Sequence, residues 1–172
     1  MNSYRTENYI KDKVIVITGA SSGFGKETAK KAAELGGKVV LAARREELLR
    51  EITQEIRESG GEASYIKTDV RVKDQVNAMA KFAVDTYGRI DVLVNNAGGA
   101  LKMPKGGFVD MPMDYWDEQI ALNLNSAAYC SQLAARCMIE KGIHGSIINI
   151  SSIHSLVTWV KRKALPYSAG KA

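Results

Sequence analysis

Cysteine is scarce in this chain: Cys130 and Cys137 are its two, seven residues apart. Both fall in one stretch of helical period, where a rise of ~1.5 Å per residue sets them ~10 Å apart, beyond disulfide reach. Two such thiols make no zinc site either, so no metal is expected. A pair of reduced thiols fits a cytoplasmic protein. Long apolar runs are also lacking: none approaches the ~20 residues that a membrane span needs. The opening stretch MNSYRTENYI has no apolar core of the kind a secretory signal carries. Nor does one sign of charge dominate. Against 24 Lys and Arg stand 19 Asp and Glu, a net charge of +5. This excess is scattered, apart from KRK at 161–163, and is too weak for a nucleic-acid partner.

What remains is ordinary globular composition, 45% hydrophobic and 25% charged over 172 residues. That is the length of one domain, and neither a repeat nor a linker divides 1–172. Short β-rich runs recur: KVIVIT (13–18), KVVLAA (38–43), ASYIK (63–67), DVLVN (91–95) and SIINI (146–150). Nearly continuous apolar character is what parallel strands buried on both faces require. Helical period lies between them. Leu48, Ile52 and Ile56 mark one apolar face, and Val72, Val76, Met79 and Ala83 another. A long helix is expected from Asp114 to about Lys141, with Trp116, Ile120, Leu124, Ala128 and Cys137 on its buried side. Gly36-Gly37, Gly60-Gly61 and Gly88 stand where helix ends want glycine. The alternation predicts an α/β fold, a doubly wound parallel sheet of Rossmann type. Two connections, 97–113 and 151–165, exceed ordinary loop length, which points to function.

The first strand runs into TGASSGFG, with Gly19, Gly23 and Gly25 between strand and helix. Glycines there permit a tight turn and let backbone N–H groups approach a pyrophosphate at the positive helix end. A glycine pattern alone could serve only the turn; its place after strand one and before helix one points to a dinucleotide. The second cluster is YSAGK at 167–171. A free tyrosine phenol has a pKa of ~10 and is a poor base at neutral pH. Lys171 lies on the same helical face as Tyr167. Opposite charges ~4 Å apart interact by ~4 kcal/mol at an effective dielectric of ~20, worth up to ~3 pKa units. On a surface helix such a pair is usually inert; the glycine loop upstream gives it meaning.

In order, TGASSGFG, TDV (68–70), NNAG (95–98), LNLN (122–125), ISS (150–152) and YSAGK resemble the short-chain dehydrogenase/reductase family over essentially the whole chain. The resemblance implies an NAD(P)-dependent oxidoreductase acting on a ketone or secondary alcohol. It implies that Tyr167 exchanges a proton with the substrate oxygen and that Lys171 holds the nicotinamide ribose. Asn123 would anchor a water leading from Lys171 to solvent. Gly19, Ser21, Ser22, Gly23, Phe24 and Gly25 would cradle the dinucleotide. Asp69, with Val70 beside it, would meet the adenine, while Asn96, Ala97 and Gly98 would line the ribose. A catalytically silent dinucleotide-binding or interaction protein on the same scaffold is the competing reading.

Cofactor choice is read at the end of strand two. NAD-preferring relatives carry Asp where this chain has Ala43, and Arg44 follows. A guanidinium can pair with a 2′-phosphate, and the missing carboxylate removes a repulsion, so NADP is favoured and NAD remains possible. Ser22 takes the place of a second basic residue that many NADP-preferring relatives carry. A serine after strand five should bond the substrate oxygen. Anchoring on the strand places it at Ser152, with Ser151 and Ser155 as substitutes. The family's usual spacing counted back from Tyr167 would instead reach His154, because fourteen residues separate Ser152 from Tyr167. Loops absorb such insertions easily, so the strand anchor is preferred. The same loop carries Trp159 and the KRK cluster, a solvated face or a lure for an anionic substrate. The resemblance further implies a chain continuing beyond Ala172 and assembly as a homodimer or homotetramer.

Overall fold

The computed structural model of the chain describes residues 7–102, 108–157 and 165–172. Trp159 and the KRK cluster lie outside the described residues. A short helix α1 (Glu7–Ile10) precedes β1 (Val14–Thr18), α2 (Gly23–Glu34), β2 (Lys38–Ala43), α3 (Glu46–Glu58), β3 (Glu62–Lys67), α4 (Lys73–Tyr87) and β4 (Val92–Asn95). Then come α5 (Met113–Ile120), a π-helical turn (Ala121–Asn125), α6 (Ser126–Glu140), β5 (Ser146–Asn149), a 3₁₀ turn (Ile153–Ser155) and α7 (Leu165–Lys171).

The strands form one five-stranded parallel sheet in the order β3-β2-β1-β4-β5. Each expected strand is present to within a residue or so at its ends. Alternation along the central strands divides the core in two. Ile15, Ile17, Val39 and Leu41 pack with Leu49, Ile52 and Ile56 of α3 and the alanines of α2. Val16, Val40, Ala42 and Leu93 turn the other way, toward Val76, Met79 and Ala83 of α4 and Cys130, Ala134 and Cys137 of α6. A buried carboxylate fixes the start of the sheet: Asp91 accepts from the Val14 N–H at 2.9 Å and pairs with Arg89 at 2.6 Å. Gly36, Gly60 and Gly88 end α2, α3 and α4 in left-handed backbone, as the sequence requires.

Three details differ from the periodic reading. The inner face of α3 is Leu49, Ile52, Thr53 and Ile56, with Leu48 only half-buried. Val72 is the exposed residue before α4 rather than part of its core face. The largest difference is in the long helix, which the π-helical turn interrupts. Its buried row is Gln119, Asn123, Ser126, Cys130, Ala134 and Cys137, while Leu124 is 48% exposed and Ala128 is also outside. Asn123 faces inward here because it bonds the loop after β4, and Ser126 because it donates back to the Leu122 carbonyl, so apolar periodicity picks the wrong side at Leu124 and Ala128. Strand β5 lies at the sheet edge, with its four residues exposed.

Candidate active site

The carboxyl ends of β1 and β4 meet where the order of the sheet turns back. Thr18 Oγ1 accepts from the N–H groups of Asn96 (3.1 Å) and Ala97 (3.0 Å), and Asn96 Nδ2 donates to the carbonyls of Thr18 (3.0 Å) and Gly19 (3.2 Å). This leaves no room for larger residues. A Cβ on Gly19, where φ is +67°, would lie 2.8 Å from Ala97 Cα, and one on Gly25 would lie 2.5 Å from Asn96 Nδ2. In front of Gly23 the situation reverses: φ is +56° and nothing lies within 4 Å of a Cβ position. Helix α2 starts there with no side-chain cap from Ser22 and no acidic residue in its first turn. Its leading N–H groups and positive end therefore face open space, the environment that a phosphate anion fits.

Two hollows join along this line. One, of about 190 Å³, is bordered by Ser21, Ala43, Arg44, Thr68, Asp69 and Val70. The other, of about 470 Å³, is bordered by Phe24, Asn96, Ser151, Ser152, Tyr167 and Lys171. They share Gly19, Ser22, Ala97 and Gly98, so a single groove crosses the glycine loop. Phe24 stands 81% exposed over the second hollow. A further depression of about 420 Å³ between α2 and α3, beside the Lys30–Glu55 ion pair, contains none of the expected site residues.

At the first hollow the charges are paired in an order the sequence did not reveal. Arg45, rather than Arg44, reaches back to the glycine loop: its Nη2 donates to Ser21 Oγ at 2.9 Å and Ser22 Oγ at 2.6 Å. Arg44 stays exposed at the rim. Asp69 is held by Arg71, whose Nη2 donates at 2.6 Å and whose Nε and backbone N–H donate at 3.0 Å. The Arg71 guanidinium bonded to it holds the Asp69 carboxyl below its ordinary range.

The second hollow collects the hydride-transfer candidates. Helix α7 carries Tyr167 and Lys171 and rests on the π-helical turn, where a Cβ on Gly170 would lie 2.9 Å from Asn123 Cβ. Lys171 Nζ donates to the Ile150 carbonyl at 2.8 Å, and burial lowers its pKa from the usual 10.5. A Cβ on Gly98 would come within 2.8 Å of both Lys171 Nζ and Asn123 Oδ1, so both polar ends converge on one bare backbone position. Asn123 accepts from the Gly99 N–H at 2.9 Å and donates to the Gly99 carbonyl at 3.2 Å. The serines differ in their use of the hydroxyl proton. Ser151 Oγ donates to the Lys171 carbonyl (2.6 Å) and Ser155 Oγ to the Ser152 carbonyl (2.7 Å). Ser152 Oγ accepts from the His154 N–H at 3.2 Å, which leaves its own proton for another acceptor. The His154 ring stands edge-on to Tyr167, with centroids 6.0 Å apart.

The family model for short chain dehydrogenases matches residues 13–172. The chain belongs to the short-chain dehydrogenase family. It is 41% identical to YxnA, an uncharacterized oxidoreductase of Bacillus subtilis, over 84% of this chain and 40% of that protein. An uncharacterized oxidoreductase of Staphylococcus saprophyticus is 42% identical over 85% of this chain and 57% of its own. This dehydrogenase-family chain thus spans 40% to 66% of the length of the first curated relatives it matches. Among solved structures, 7α-hydroxysteroid dehydrogenase complexed with NADH and 7-oxo glycochenodeoxycholic acid superposes with a TM-score of 0.88 at 32% identity, covering 99% of this chain and 64% of that one. A metagenomic short-chain oxidoreductase in complex with NADP gives 0.85 at 38% identity, covering 94% and 71%.

Several residues of this family member's groove escaped the sequence reading. Thr18 and Arg71 sit beside recognised motifs, but their partners lie elsewhere in the chain or in a turn that spacing does not define. Arg45 is the second of two adjacent arginines, and only the fold says which one turns toward the serines. Gln119 had no signal except its distance of one helical turn from Asn123.

Proposed function

We propose that the protein is an NADP(H)-dependent oxidoreductase that interconverts a ketone and a secondary alcohol, with Tyr167 as general acid and base. The observation that carries this reading is the convergence of Lys171 Nζ and Asn123 Oδ1 on Gly98, beside Tyr167 and Ser152 in one groove. A bound nicotinamide dinucleotide would supply the hydride acceptor or donor. The uncapped start of α2 would hold its pyrophosphate, and Asn96, Ala97 and Gly98 would flank the ribose. Ser152 donates a hydrogen bond to the substrate oxygen. In reduction the Tyr167 hydroxyl gives its proton to that oxygen, and the Lys171 ammonium stabilises the phenolate left behind. In oxidation the phenolate takes the proton back. Asn123 holds a water through which Lys171 exchanges protons with solvent.

Ala43 and Arg44 support NADP over NAD: the end of β2 carries no carboxylate to oppose a 2′-phosphate, and an exposed guanidinium stands at the rim. NAD use at lower efficiency belongs to the same proposal, since Asp69 and Val70 border the adenosine end whichever ribose is bound. An actinorhodin polyketide ketoreductase solved with NADPH superposes on this fold with a TM-score of 0.83 at 35% identity. We place the enzyme in the cytoplasm as a homodimer or homotetramer acting on a small-molecule substrate. Among the described residues no helix is long and apolar enough to cross a membrane. Replacing Tyr167 with Phe tests the reading: NADPH oxidation against a ketone panel should fall by at least ~10²-fold while dinucleotide binding persists. Turnover unchanged in that variant would sink the mechanism.

A further inference from the structure

Gln119 is completely buried, at 0% exposure, on a helix whose outer face carries Leu124 and Ala128. An uncharged amide is unfavourable to bury unless its polar atoms are bonded, so an apolar residue would be easier to place there. The surroundings explain why an amide stands there. One end of the Gln119 side chain lies 2.9 Å from Asn123 Nδ2 and 3.2 Å from the Gly99 carbonyl; the other faces the Tyr115 hydroxyl at 3.3 Å and the Leu101 N–H. With its oxygen toward Leu101, the amide accepts from that backbone N–H and donates to Gly99, as a neighbouring strand would. With its oxygen toward Asn123, it accepts from Nδ2 directly. The second orientation sets the oxygen against the Gly99 carbonyl and the amide nitrogen against the Leu101 N–H, so the first, which satisfies both, is the one that ties the end of α5 to the loop after β4.

Asn123, four residues on, grips the same loop: its Oδ1 and Nδ2 bond the two backbone polar groups of Gly99. Asn123 Nδ2 also donates to the Gln119 carbonyl at 3.0 Å, and Tyr115 donates to the Leu101 carbonyl at 3.2 Å. Two amides one turn apart therefore read the backbone of residues 99–101 as a short ladder. The loop matters because Gly98, just before it, is where Lys171 Nζ and Asn123 Oδ1 converge. A π-helical turn departs from the regular ladder of α-helix bonds, and such turns are frequent at functional sites.

We propose that Gln119 is a positioning residue for hydride transfer: side by side with Asn123 it fixes the 99–101 backbone, and through it Gly98, in place facing Lys171. This rests on the oxidoreductase reading above. Gln119 touches none of the reacting atoms, so its removal should affect kcat rather than dinucleotide binding. Gln119→Met keeps the volume and deletes the hydrogen bonds. It should lower kcat by about tenfold or more, leave the dinucleotide KM within about twofold, and shift the pH–rate profile. Amide hydrogen exchange at Gly99 and Leu101 should quicken in the same variant. Gln119→Glu adds a signature that a merely structural role would not give. Its protonated carboxyl retains one donor and one acceptor, so activity should survive at acid pH and decline as the carboxyl ionises, adding a limb absent from the wild type.

Unchanged kcat and pH profile in Gln119→Met overturn the proposal, as does a Gln119→Glu profile that superposes on the wild type's. Should the Met variant fail to fold, the Glu variant carries the test alone. Exchange keeps the two readings apart. Faster exchange at Gly99 and Leu101, in a protein that reduces no carbonyl even as wild type, upholds the locking of the loop and overturns the oxidoreductase reading instead.

Discussion

The Nζ of Lys171 donates to the carbonyl of Ile150 at 2.8 Å, tying the last turn of α7 to the end of β5. The ammonium is held where burial disfavours its charge, and its pKa lies below 10.5. The unfolded chain therefore binds this proton more tightly than the folded one. Over the interval just below 10.5, stability should rise with pH, and the penalty is fully present below the folded pKa. Lys171→Met should remove that penalty. At pH 7 its denaturation midpoint should equal or exceed the wild type's, and the difference should shrink as pH climbs toward 10.5. Turnover should nevertheless fall by at least ~10²-fold. A variant clearly less stable at pH 7 would show that the Ile150 bond outweighs the cost of burying the charge.

Ser152 differs from its neighbours in what its hydroxyl does. Ser151 and Ser155 donate to backbone carbonyls, while Ser152 accepts. Ser152→Ala should lower kcat/KM for ketone reduction by about 10- to 10³-fold with little change in thermal stability. Ser155→Ala should loosen the 3₁₀ turn and cost less activity. Equal losses from both substitutions, or a silent Ser152→Ala, would move the role elsewhere in the turn. Steady-state kinetics of the two variants side by side distinguishes these outcomes.

The sheet was legible because its strands are apolar runs of the right length, and the groove because TGASSGFG sits between strand and helix. The Tyr167–Lys171 pair was legible from a single helical turn. Other features were not, for a physical reason in each case. Gln119, Asn123 and Ser126 turn polar groups inward, so a pattern search that equates apolar with buried picks Leu124 and Ala128 instead. Arg44 and Arg45 are adjacent where a strand passes into a helix, and sequence order alone does not say which side each takes. A loop of variable length separates the serine from the tyrosine, so spacing from Tyr167 points to His154 while the strand points to Ser152.

Ala43 sits buried at the end of β2, beside the hollow that Arg44 borders. Ala43→Asp would place a carboxylate where it can accept from ribose hydroxyls and repel a 2′-phosphate. The ratio of kcat/KM with NADPH to that with NADH should fall by at least about tenfold, chiefly through a raised KM for NADPH. Arg44→Ala should move the ratio the same way without improving NADH use. Arg45→Ala should act more broadly, because it releases Ser21 and Ser22 at the glycine loop. An Ala43→Asp enzyme with an unaltered ratio would refute the assignment of this hollow to the 2′-phosphate.

Arg71 clamps Asp69 at the border of the first hollow, with its side-chain hydrogen bonds as the largest influence on the carboxyl and burial opposing them. The folded carboxyl is more acidic than the unfolded one. Its pairing therefore adds stability above the unfolded pKa of about 3.8, and that contribution disappears as pH falls through the folded value. The pair is partly open to solvent, so the stability at stake is small. Arg71→Gln should let the Asp69 carboxyl rise toward its ordinary range, which NMR titration of the carboxyl carbon reads directly. It also removes the bonds that orient the carboxylate, so dinucleotide affinity should drop several-fold while the pH dependence of kcat stays unchanged. A variant with the wild-type Asp69 titration would mean that the backbone N–H of residue 71, which survives the substitution, is sufficient to hold the charge.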